Sequence, residues 1–90
     1  MDLKKLKQKV EDFDKSAGFD KTEFSKLIEM IKEEVEILEK NKKNKKIVDH
    51  QLTDLLILIM QIAHRYDTDF DKELDNWFKK SQKYLKDSKK

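Results

Sequence analysis

The ten residues Gln51–Met60, QLTDLLILIM, decide how this chain folds. They belong to a longer pattern, from about Val48 to Tyr66, that is apolar around most of a helical wheel. A helix of that kind has to be covered on several sides, so the rest of the chain is expected to supply helices that pack on it. Asp54 interrupts the apolar run near its start. Helical neighbours explain its place: His50 and Gln51 lie four and three residues before it, Gln61 seven after, and Ile57 and Leu58 on its other side. Asp54 therefore falls in a narrow polar seam with Gln51, Gln61 and Arg65 on a helix that is otherwise core.

Working outward, three further helical patterns account for nearly all other residues. The first, about 2–16, carries Leu3, Leu6, Val10 and Phe13 and stops at Gly18, the one residue free to take a positive φ at a helix end. The second, about 21–40, opens at DKTE, where Asp20 and Glu23 have capping-box spacing, and runs through Leu27, Ile31, Val35 and Leu38. The basic stretch KNKKNKK, 40–46, is expected as a loop before the third helix, 48–66. DTD, 67–69, breaks that helix, with Thr68 or Asp69 as the cap of a fourth over about 69–86; residues 87–90 are expected to fray. The chain has no proline and one glycine, which leaves little room for tight β-turns. The expected fold is a single all-α domain over 1–90, an antiparallel four-helix bundle. Three short amphipathic neighbours do not cover the third helix completely, so it is also expected to meet another subunit, giving a homodimer or homotetramer.

Composition narrows the classes of function. A 90-residue chain buries about 60–65% of the surface its unfolded form exposes, so help from a second copy is physically sensible. With no cysteine, thiolate metal sites and disulfides are excluded, and two histidines make a zinc site hard to assemble. The 21 basic and 19 acidic residues nearly cancel, which disfavours non-specific nucleic-acid binding. The N-terminus MDLKKLKQKV has no apolar leader core, and Leu55–Met60 is far too short to span a bilayer. A soluble, cytoplasmic protein with no membrane contact is expected.

Among the charged residues, Glu34 is the most informative. Its helical neighbours Leu27, Met30, Ile31, Ile37 and Leu38 are all apolar, whereas Glu33, Glu36 and Glu39 fall on the polar side. Glu34 thus sits on the core-facing stripe, where an unpaired carboxylate costs several kcal/mol or takes up a proton. Two readings are open. In one, Glu34 pairs with Arg65 or a lysine, and Asp54 marks an exposed edge. In the other, Glu34 and Asp54 face a shared cavity and hold a hard divalent cation such as Mg²⁺.

A first helix ends in FDKSAGF, a second carries EEVEIL, a basic gap follows, and then come QLTDLLILIMQIAHRYDTDF and a last helix ending in KYL. This order of features resembles the MazG-like, all-α nucleoside triphosphate pyrophosphohydrolases. The family has an EExxE helix, then ELxDLL, an apolar run, a short acidic turn and a helix ending near KY. The resemblance covers almost the whole chain and implies a MazG-like bundle that binds a nucleoside triphosphate with Mg²⁺, water attacking at the α/β-phosphate linkage. Of the family's four acidic Mg²⁺ positions, Glu34 matches the first and Asp54 the last. Ile37 stands where the second glutamate would be, and Gln51, at most a weak ligand, where ExxD begins. A lysine and an asparagine of the family's final helix fall near Trp77 and Ser81 and are missing. Since isoleucine ligates nothing and glutamine brings no charge, the resemblance implies slow or lost hydrolysis.

Three residues are candidates for substrate contact. Lys43, in the basic stretch, offers charge to a triphosphate; Trp77 offers a face to a base; Arg65 lies in the polar seam. Each has a plainer alternative: a solvated connection for Lys43, core or interface packing for Trp77 with Phe78, an ion pair for Arg65. His50 and His64 are assigned no chemistry. The alternative to a nucleotide-binding protein is a catalytically inactive helical module that binds a protein partner or nucleotide.

Overall fold

The computed structural model describes residues 2–88. Among these there are four α-helices and no strand: α1 (Leu3–Ala17), α2 (Phe24–Lys40), α3 (Lys45–Arg65) and α4 (Phe70–Ser88), with a 3-10 turn at Phe19–Lys21. The fold is all-α, as the periodicity predicts. Of the tail expected to fray over 87–90, Asp87 and Ser88 continue the backbone of α4, and Lys89 and Lys90 lie outside the described residues.

The helix ends follow local chemistry. The Asp2 side chain accepts from the Lys4 amide at 2.8 Å and caps α1, and Gly18 closes it at φ 79° with its N–H bonded to the Asp14 carbonyl. The capping box expected at Asp20 and Glu23 does not form. Residues 19–21 turn into the 3-10 segment instead, and α2 starts at Phe24 with no side-chain cap. The basic loop is shorter than expected, because Asn44 accepts from the Ile47 amide at 3.3 Å and so starts α3 at Lys45. Asp67 takes φ 51° in the α3–α4 turn, and Asp69, not Thr68, caps α4 by accepting from the Lys72 amide at 3.1 Å.

α3 is the shared wall of the fold. α1 and α2 each pack along it, and the buried apolar residues Val10, Leu27, Leu58, Met60 and Ala63 come from these three helices. The α1 stripe continues from Val10 to Asp14 and not to Phe13, which is 55% exposed and leans on Phe19 with ring centroids 5.9 Å apart. α4 meets α1 over a short patch near Leu3, Lys7 and Phe70, where Lys7 Nζ donates to the Thr68 carbonyl at 2.8 Å. Beyond that patch α4 projects, and its Leu74, Trp77 and Phe78 are exposed. The radius of gyration, 16.0 Å, reflects this; a compact chain of this length has about 12 Å. Among the described residues no helix is long and apolar enough to cross a membrane.

Candidate functional site

Glu34 and Asp54 do meet across α2 and α3. Burial pushes the Glu34 carboxyl above the ordinary carboxylate range, and Asp54 pushes it further, both by charge repulsion and by hydrogen bonding; His50 opposes the rise. Glu34 Oε2 is shut off from water without a hydrogen-bond partner. Asp54 is also held within its own helix, its Oδ2 3.1 Å from His50 Nε2 one turn earlier. Gln51, on the same side of α3, is 7% exposed, and its Oε1 is likewise buried without a partner. The α2–α3 contact therefore brings two carboxylates together, one with an unanswered oxygen, and Gln51, one turn before Asp54 on α3, carries a second. An unsatisfied buried acceptor costs roughly 1–3 kcal/mol, so each is a place where a proton or a cation would be stabilising.

No ion pair forms between Glu34 and Arg65, or between Glu34 and any lysine, among the described residues. Arg65 reaches the other way. Its Nη1 donates to the Thr22 carbonyl and its Nη2 to the Phe19 carbonyl at 3.0 Å, so the guanidinium holds the α1–α2 connection against the end of α3. Lys43 lies with Lys40, Asn41, Lys42 and Asn44 around an open groove of about 450 Å³ in the α2–α3 turn. Trp77, 60% exposed, stacks edge-to-face on Phe78 with centroids 5.0 Å apart, on a helix that makes no extended contact with α2 or α3. Within one chain, then, the acidic pair is assembled, while Lys43, Arg65 and Trp77 belong to three other places.

A second polar cluster escaped the sequence reading. Asp14 on α1 is 0% exposed; its Oδ1 accepts from Gln61 Nε2 at 2.8 Å and its Oδ2 lies 2.6 Å from His64 Nε2. The His64 side chain is also buried. This charge-assisted pair, with the amide beside it, fastens α1 to α3. Two signals were available in the sequence. Asp14 follows Val10 by four residues on the apolar stripe, and Gln61 and His64 lie three apart on one face of α3.

Among the described residues, no three His, Asp or Glu side chains stand close enough to hold a metal ion by themselves. Magnesium asks for less: it keeps several waters and is often bound through one or two carboxylates together with substrate phosphates. Glu34, Asp54 and the Gln51 carbonyl fit that limited role, and the orphaned Glu34 Oε2 is the observation in its favour. Ile37, where a further carboxylate would help, is an exposed apolar side chain on the same helix. No protein-family model, no curated protein and no solved structure matches the chain.

Proposed function

We propose that this chain is a nucleotide-binding helical protein of the MazG-like type, taking a nucleoside triphosphate as its Mg²⁺ complex at the Glu34–Asp54 seam, with hydrolysis slow or lost. One observation carries the reading: a buried, unpartnered carboxylate oxygen set against a second carboxylate from the facing helix. Glu34 and Asp54 would hold the ion and Gln51 would add a neutral oxygen, leaving the remaining positions to water and phosphate. The reading includes assembly as a homodimer or homotetramer through the exposed side of α3, and a cytoplasmic location in keeping with the lack of cysteine.

Thermal melts with nucleoside triphosphate plus Mg²⁺, against each alone, test the proposal. The expected result is a rise in Tm that needs both components and disappears in Asp54→Asn. Pyrophosphate release across a panel of nucleoside triphosphates is expected at or near background. A wild-type Tm indifferent to the Mg²⁺ complex, at millimolar concentrations, would sink the idea. It would leave the second reading, a helical interaction module without nucleotide, which the exposed apolar residues of α3 and α4 favour.

A further inference from the structure

Two apolar stripes are left exposed among the described residues. On α3, α1 and α2 cover two sides, and the third side presents Leu52, Leu56 and Ile59 at four- and three-residue spacing, all three exposed. On α4, Leu74, Trp77 and Phe78 form a second stripe, and this helix meets α1 at its start, near Phe70 and the Lys7–Thr68 contact. Neither is a stray surface leucine. Each is a row long enough to be the contact face of a helix pair.

The exposed area exceeds what a compact chain of this mass shows. A folded monomer of 10.9 kDa exposes about 5,600 Å². This chain exposes 7,523 Å², an excess of roughly 1,900 Å² relative to that expectation. Twice that excess lies within the range of obligate homodimer interfaces, about 2,000–5,000 Å² in total, and well above a transient contact. Two stripes per chain also suit a two-fold axis, in which stripe one of each copy meets stripe two of the other.

We infer that a second copy of this chain completes the fold by exchange of α4: the Leu74–Trp77–Phe78 face of each copy lies along the Leu52–Leu56–Ile59 face of α3 in the other. This rests on the proposed oligomeric reading and specifies it, since each α3 then gains its third neighbour from the partner. The arrangement also brings the Trp77 of one chain to the α3 of the other, the helix that carries Asp54.

Trp77 is the only tryptophan and cysteine is absent, so two probes are unambiguous. Light scattering is expected to give twice the chain mass at micromolar concentration, with Trp77 emission blue-shifted, and the emission should move to the red on dilution as the mass halves. A copy bearing Leu56→Cys mixed with one bearing Phe78→Cys should give a mixed cross-linked pair with a short bis-maleimide, with helicity checked by circular dichroism. A monomer at all concentrations overturns both this inference and the oligomeric reading. A stable dimer that cross-links only Leu56→Cys to Leu56→Cys, or whose Trp77 emits as a fully hydrated indole, overturns α4 exchange while leaving the oligomer. Neither result bears on the Mg²⁺-nucleotide melts, so the two proposals fail separately.

Discussion

The two helix interfaces that α3 makes each hold an acid, fully buried in one and half-buried in the other, and they treat it in opposite ways. Against α1, Asp14 has both oxygens answered, one by the Gln61 amide and one by His64. Against α2, Glu34 faces another carboxylate and keeps one oxygen with no partner at all. A charge buried for architecture arrives with its complement, because an unpaired one in a small core costs several kcal/mol, whereas the neutral Gln61 Oε1 in the same cluster is left without a partner. A half-buried acid set against a second, more exposed one has no such complement for its hidden oxygen among the described residues. The first interface is a fastening; the second is where a ligand would change the energy most.

The difference is open to three tests, in descending size of effect. Asp14→Ala leaves Gln61 Nε2 and His64 facing an empty site, and removing one member of a buried pair typically costs about 3–5 kcal/mol. A domain of this size has roughly 5–14 kcal/mol in all, so urea denaturation should show a midpoint far below wild type. A wild-type midpoint would mean that α1 is held by something else. Next, Ile37→Glu with Gln51→Glu would restore four carboxylates at the α2–α3 seam, and isothermal titration should find Mg²⁺ bound at least ~10-fold more tightly, about 1.4 kcal/mol. The same double variant should be less stable than wild type in EDTA, because a buried glutamate replaces a neutral amide. If neither property changes, the seam is not a cation site.

The smallest effect carries a sign. Because Glu34 has a raised pKa in the folded state, that state holds its proton more tightly than the unfolded chain. Its contribution to stability is complete below the ordinary carboxylate range and is lost as pH rises through the raised value. Glu34→Gln should therefore melt a few degrees higher than wild type at neutral pH, converge with it in acid, and lack the fall in Tm between. A variant that melts below wild type at neutral pH would show that the charge has a partner there.

How much of this was legible in the sequence depends on where each residue's neighbours come from. Glu34 and Asp54 could be found because their own helices surround them with leucine and isoleucine, so a wheel alone displays the conflict. Gly18 and Asp69 act as helix ends for equally local reasons. Asp14 lies in the mostly polar stretch EDFDKS, with Val10 one turn before it as a hint, and the partners that answer it are 47 and 50 positions away. Periodicity also misplaced Phe13 by one position on the wheel, and it offered Arg65 as a partner for Glu34 when the carbonyls of a turn took it. The apolar row of α4 was plain; that no helix of the same chain lies along it was not, because amphipathicity shows that a face needs covering and not by whom.

That α1 and α2 both lean on α3, and hardly on one another, also sets an order of events in time. The α2–α3 pair is closed by a turn of only a few residues between Lys40 and Lys45, so its contacts are near in sequence and carry little loop-closure entropy. Docking α1 requires Asp14 to find Gln61 and His64 after nearly half the chain has been wound. The hairpin is then the natural nucleus, and the Asp14 fastening a late latch. Loss of that latch should appear mainly as faster unfolding, with the refolding arm of the chevron little altered.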